Sequence, residues 1–402
     1  MPVAHRLWVL AVLLVSFSAV AQQDDARQQE EADRKAKFRA GFGVIVNDLN
    51  QGSTGSFVRA LDREAILERT FGLRLIDPKV KEQFRNDFDN IIDQTFGRPA
   101  EAEASMEPIR VAWLGIGSKG DRGKAILRQD LADFQFNYYE YELRLDERGN
   151  VRIVDFVDFL EGDYFTNTMG ETLIKQAPGK NAVRKLIDFQ SVSDTQLFQM
   201  TELLKASRDM KVDRFFEIYN AMDPQLQRQR VALLSGVQVC KLTRDRRKLR
   251  TVLQSLAQYY PDEPLYALML LDYYFPTRQY EQAMDTLLRL QKRLGVKDAA
   301  MSARLSSAAL VLRDADSASA YAEEAVGLEP GLELAWWSAL RARTASGQFA
   351  QAVEALDVLE TDFGYTLDSA GLEKDPSLGA LLGSEAYGEW SLARGESGET
   401  AD

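Results

Sequence analysis

The sequence predicts two parts of different class: an α+β N-terminal domain, with helices packed on a curved antiparallel sheet, followed by an all-α superhelical solenoid. Three observations carry this. Between residues 109 and 160, segments rich in Tyr, Phe, Val and Ile alternate with Gly-containing loops, the pattern of antiparallel strands. Beyond Lys180 the strand pattern stops, and helical patterns run to about Arg394. Within that helical half, Pro261 and Pro330, Tyr280 and Phe349, and Ala283 and Ala352 each stand 69 residues apart, twice a period of about 34.

The chain opens on a signal-like segment. Met1 to Arg6 form a short basic start, Leu7 to Val15 an apolar run, and Ala19-Val20-Ala21 a small-residue cleavage site. A cut after Ala21 defines 1–21 as a signal peptide. The apolar run falls well short of the ~20 residues that span a bilayer, and no Cys follows it to carry a lipid. Residues 22–37 read as a charged tether or a frayed helix.

The cut also decides much of the chemistry. His5, the single histidine of 402 residues, leaves with the signal. The remaining chain then has no imidazole for a Ser-His-Asp triad, a general base or a metal ligand. The single cysteine, Cys240, excludes an intrachain disulfide, a Cys-only zinc site and an iron–sulfur cluster. With 61 Asp+Glu against 49 Lys+Arg, the acidic balance argues against sequence-independent nucleic-acid binding and against anionic membrane surfaces. No asparagine after the cut stands in an N-x-Ser/Thr context, which with the missing disulfides favours a bacterial periplasm over secretion.

Residues 38–180 make up the predicted α+β domain. Phe57 to Phe71 reads as one helix with Ser56 as its N-cap, and Asp77-Pro78 opens a second whose apolar stripe runs through Val80, Phe84, Phe88, Ile91 and Ile92. An Ala/Glu-rich connection at 100–107 leads to strands at 109–117, 124–131, 134–145 and 151–160. Both parities of the last two strands are apolar, so they are expected to bury two faces. Gly115 to Gly120 matches G-x-G-x-x-G but is followed by another turn and strand rather than a helix, and is read as a hairpin. Asp155, Asp158, Glu161 and Asp163 read as a solvated strand end, with an inward Asp155 acting as a general base as a lesser alternative. Tyr138, Tyr139 and Tyr141 read as core. Two helices followed by this meander resemble the NTF2-like cone, in Asn137 to Tyr141, Val151 to Asp155 and Glu161 to Asp163. The likeness, shared with periplasmic phospholipid carriers, implies a hydrophobic ligand in the domain as a second functional reading.

Residues 181–229 read as a helical adaptor or degenerate repeat. Four units follow over 230–366, beginning near Arg230, Pro264, Ala299 and Glu333, and 367–394 reads as a capping helix before a disordered tail at 395–402. With Ala near position 20 and Pro near position 32 of a 34-residue unit, the helical half resembles the tetratricopeptide repeat (TPR), so the second part is a TPR-like solenoid. That resemblance implies a groove for a protein or peptide partner, lined here by Gln238, Lys241, Leu268, Asp272, Phe275, Trp337 and Arg341. Trp337 is left with two readings: groove-facing, beside Arg341, or packed under the capping helix. Cys240 falls on a packed helix face and is read as an inert thiol. The function expected is a non-enzymatic scaffold or adaptor in the cell envelope, with no cofactor and no metal.

Overall fold

A computed structural model of the protein describes residues 3–72, 75–97, 110–119, 121–188 and 191–394, with backbone only up to residue 26. The packing of the predicted signal peptide, the Ala/Glu connection and the tail at 395–402 therefore lie outside the described residues. The chain divides into two units, one comprising 1–130, 138–158 and 164–182, the other 131–137, 159–163 and 183–402.

In the first unit, α1 (Val3–Asn50) is continuous through the segment predicted as a tether. From Phe38 onward it buries Phe38, Phe42, Ile45 and Leu49, a stripe of helical period. Gly41 is what lets it approach the sheet: a Cβ there would lie 2.5 Å from Val151 Cγ2. This core helix was not predicted, because two glycines interrupt its pattern.

The predicted helix at 57–71 is two helices, α2 (Gly55–Ala60) and α3 (Arg63–Phe71). The break has a physical cause. Asp62 caps α3 by accepting from Ala65 N, and its own N–H donates to Ile153 O in the sheet at 2.8 Å. A helical Asp62 could do neither. The next helix, α4 (Pro78–Phe96), starts at Asp77-Pro78 as predicted and buries Phe84, Phe88 and Ile92.

The five strands β1 (Val111–Lys119), β2 (Arg122–Asp130), β3 (Phe136–Leu145), β4 (Val151–Asp158) and β5 (Asp163–Tyr164) form one sheet in sequential order. The β1–β2 and β3–β4 pairs are antiparallel, and each carries a bulge, at Trp113/Gly115 and Glu142/Leu143, which bends and twists the strand. Both faces of β3 and β4 are largely buried, as their apolar parities require. A further helix that the sequence reading missed, α5 (Phe165–Gln176), packs Phe165 on Phe156 with ring centroids 4.8 Å apart.

The short helix α6 (Lys180–Arg184) contains the chain boundary between the units, and in the second unit α7 (Asp194–Arg208), α8 (Val212–Ala221) and α9 (Pro224–Gln227) precede four helix pairs. These are α10 (Arg230–Thr243) with α11 (Arg246–Tyr259), α12 (Ala267–Tyr274) with α13 (Tyr280–Leu294), α14 (Ala299–Val311) with α15 (Ala315–Leu328), and α16 (Glu333–Ala345) with α17 (Phe349–Thr361). A single 3₁₀ turn at Pro264–Tyr266 leads into α12, so the pairs start at 230, 264, 299 and 333, at TPR spacing. Buried alanines such as Ala283, Ala309, Ala322 and Ala352 let paired helices close on one another, and Leu253, Leu287, Leu290 and Leu356 fill the seams.

The predicted capping helix is instead several short pieces: α18 (Ser369–Leu372), a 3₁₀ turn at Pro376–Leu378, α19 (Gly379–Leu382) and α20 (Glu385–Ala393). Ser384 restarts the chain as an N-cap, accepting from Tyr387 N. The pieces still bury Leu378, Leu381, Tyr387 and Trp390 against Leu356 and Leu359 of α17. The α+β class of the first part and the helical class of the second are as predicted.

Candidate functional site

The seven residues expected to line a groove fall in two places. Leu268, Asp272 and Phe275, at or just after α12, border a cleft of about 620 Å³. Its other walls come from the start of α11, from Arg304 on α14, and from Gln135, Phe136 and Leu160. The apolar part is Leu249, Leu253, Leu268, Leu271 and Phe275, and the charges are Arg246, Arg250, Asp272 and Arg304.

Two turn segments of the same unit, 131–137 and 159–163, are held by these helices through their main chain. Lys241 Nζ donates to Leu160 O at 2.8 Å, and the Arg304 guanidinium donates to Phe134 O at 2.9 Å while lying 6.0 Å over the Phe136 ring. Arg230 pairs with Asp163 at 3.0 Å. Between these anchors Gly162 has φ +70°, and a Cβ there would lie 2.7 Å from Met269 Cε and 2.9 Å from Tyr266 Cδ1. Only glycine suits both the turn and the close approach.

Asp272 opens onto the cleft's water but is surrounded by protein on its other sides. That burial raises its carboxyl above the usual range, with Lys241 and Arg304 partly offsetting it. Arg304 is shifted downward by burial, with Asp272 opposing the shift. Gln238, one turn before Lys241 on α10, is half-buried, and neither residue lines the cleft itself.

Trp337 and Arg341 sit elsewhere, in a depression of about 430 Å³ shared with Tyr365, Leu367 and Asp375. Trp337 stands edge-on to Tyr365 at 5.3 Å and donates from Nε1 to Glu333 at 3.2 Å. Arg341 stacks 5.5 Å over Trp337 and pairs with Asp375 at 2.7 Å. Burial alone would raise the Asp375 carboxyl, but Ser377 and Arg341 outweigh it and hold it below the usual range. Trp337 is half-buried: it packs on the segment that follows α17 and also lines this depression.

Sequence reasoning missed Arg246, Arg250 and Arg304. The signal for the first two was present: Arg244 to Arg250 is a dense basic run in an acidic chain.

The acidic stretch after β4 is not the solvated strand end expected. Asp155 is buried, accepting from Thr166 Oγ1 at 2.7 Å, from the Phe156 and Thr166 amides, and pairing with Arg69 at 3.5 Å. Asp163 is buried too, and only Glu161 is fully exposed. The cause is that β4 and β5 are followed by packed helices, so their carboxylates meet donors rather than water. Asp155 does not border the small cavity inside the first unit. That cavity lies among Leu49, Phe57, Leu127, Tyr141 and Phe156 and holds about 120 Å³. It is below the roughly 300 Å³ at which ligand pockets begin.

Gly115 and Gly117 lie inside β1, paired with β2, as in a hairpin. Cys240 is fully buried, and burial pushes its thiol up to about 12, which suppresses thiolate chemistry. Among the described residues no three His, Cys, Asp or Glu side chains are grouped to hold a metal ion, and no helix is long and apolar enough to cross a membrane.

No protein-family model matches the chain, and no curated protein matches it. Among solved structures, a mutant of MamA aligns with 40% of this chain and 94% of its own at 19% identity, with a TM-score of 0.29. The helical repeat is defined here by the spacing and seams of its own helix pairs.

Proposed function

We propose that this protein is an exported, non-enzymatic adaptor of the cell envelope whose helical repeats hold an extended segment of a protein partner. One observation carries the reading: beside an open apolar cleft, Lys241 and Arg304 each donate to a main-chain carbonyl of a non-helical segment. A surface that grips backbone carbonyls of two turns and leaves an apolar channel alongside is suited to an extended chain. The loss of His5 with the signal peptide and the inertness of Cys240 support a binding role over catalysis. The groove proposed comprises Leu268, Asp272 and Phe275, with Lys241 and Gln238 at its margin. Trp337 and Arg341 are left out of it, because Tyr365 and Asp375 already occupy their polar and aromatic faces.

A photo-crosslinking residue in place of Tyr273, which lines the cleft, tests this in the full chain expressed in a bacterial envelope. Discrete protein adducts are expected, and Phe275→Asp, which puts a charge on the apolar wall, is expected to remove them. Absence of adducts, or adducts indifferent to that substitution, would sink the assignment.

A further inference from the structure

The residues around the cleft also bear on the chemistry of its occupant. We propose that the cleft takes an acidic peptide segment carrying an apolar side chain, and that Arg246 and Arg250 read its carboxylates. This rests on the reading of the repeats as a protein-binding surface and names the partner's chemistry.

The chain as a whole carries a net charge of −12, yet Arg244, Arg246, Arg247, Lys248 and Arg250 cluster at the start of α11. Cations there stand at the wrong end of the helix dipole, and the first turn of α11 holds no acidic residue, so the run does not serve helix stability. Its members are not alike. Lys248 is tied to Asp213 and Asp245. Arg246 and Arg250 have no ion pair among the described residues, and both are exposed where they border the cleft. Four residues apart on one helix, they lie on one face with Cβ atoms about 5–6 Å from each other. Two guanidinium groups carried on one helix face suit side-chain carboxylates, which each can bind through paired hydrogen bonds.

The rest of the cleft agrees. Arg304 adds a third cation, held in place by Phe134 O. The one carboxylate on the wall, Asp272, lies in the field of Lys241 and Arg304, which offset the repulsion an acidic ligand meets. Leu249, Leu253 and Leu268 supply an apolar floor for the ligand's uncharged side chain. A basic segment would face three guanidinium groups, and a neutral one would leave two of them unanswered.

The test uses the full chain and three labelled peptides that share one central Leu-Phe pair, flanked by Glu, Ser or Lys. By fluorescence anisotropy the Glu peptide is expected to bind at least about tenfold tighter than the Ser peptide, and the Lys peptide not at all. The Glu peptide's advantage should shrink as salt rises from about 50 to 300 mM. The double variant Arg246→Glu/Arg250→Glu should reverse the ranking, favouring Lys over Glu, with the Ser peptide unchanged. Both positions are exposed, and Glu suits a helix N-terminus, so the variant keeps its fold, which a thermal melt by circular dichroism checks.

Equal binding of Ser and Glu peptides overturns the charge reading while leaving the adaptor reading in place. If no peptide binds, both fall. Self-association of the wild type that the double variant abolishes would identify a second copy as the occupant and also overturn the proposal.

Discussion

The two units treat charge in opposite ways. In the first, buried carboxylates are matched one by one: Asp155 with Thr166 and Arg69, Glu140 with Lys124 at 2.7 Å, Asp62 with Arg144. In the second, the cleft leaves Arg246 and Arg250 exposed and without an ion pair among the described residues, while Lys248 beside them is paired. A charge satisfied within its own unit fixes a fold, whereas one left on the wall of an apolar cleft is available to something else. The cores differ in the same spirit. The first unit packs large rings, Phe42 on Tyr141 at 5.4 Å and Phe57 on Phe96 at 5.3 Å, around bulged strands. The second packs alanines, so that many similar helix pairs can close at one spacing.

The ring-packed core should be the more costly to hollow. Phe42 is fully buried between α1 and the sheet, touching Trp113 and Tyr141. Phe42→Ala is expected to destabilise the first unit by about 3–5 kcal/mol, the usual range for such a truncation. Hydrogen exchange read by mass spectrometry should show protection falling across β1 to β4 and holding across α14 and α15. Equal loss in both places would break the contrast between two separate cores.

The alanine seams should fail in the other direction, by overfilling. Ala309 is fully buried in a cluster with Ala318, Ala322, Ala339 and Ala342. Ala309→Leu adds three carbons where the helices are closest, and a cost of about 1–3 kcal/mol is expected, read as a lower urea midpoint. A neutral result would mean that the seam has slack and that the small residues do not set the helix spacing.

How much of this was legible beforehand follows from what each pattern encodes. The repeat was readable because Pro261 and Pro330 end their helices and Ala283 and Ala352 close their seams by local rules that recur along the chain. The start of α4 was readable because Asp77-Pro78 is a complete capping signal in two residues. The break at Leu61-Asp62 was hidden, since the hydrogen bond that causes it comes from Ile153, some 90 residues away in sequence. The core helix at 38–50 was hidden by Gly41 and Gly43, the first of which is there for a tertiary contact with Val151. In the cleft, positional analogy found Leu268, Asp272 and Phe275 on the first helices of the repeats. It could not find Arg246 and Arg250, which lie on a second helix, and it grouped Trp337 with Leu268, Asp272 and Phe275 because position in a repeat does not show the separate depression that Trp337 shares with Tyr365.

The buried carboxylate Asp155 offers a finer test of the claim that the first unit's charges serve the fold. Burial raises its pKa from the ordinary value of 3.8, and the donors Thr166 and Phe156 and the Arg69 guanidinium reduce that rise without cancelling it. The folded protein therefore takes up this proton more readily than the unfolded chain. Above the folded pKa the ionised carboxylate costs stability, and that cost is withdrawn as pH falls through the folded pKa toward 3.8. Asp155→Asn keeps an acceptor for the Thr166 amide but cannot titrate. Wild type should thus gain stability relative to the variant as pH is lowered from neutrality toward the ordinary carboxylate range. All other carboxylates titrate alike in both proteins, so the difference between their urea midpoints isolates this group. The change should be smaller than either core substitution, because Arg69 is partly exposed and shared with Glu142. A difference that stays flat with pH would show that Asp155 titrates normally. One that moves the opposite way would show that the Arg69 pair outweighs burial, making the ion pair a net contributor to stability rather than compensation for a buried charge.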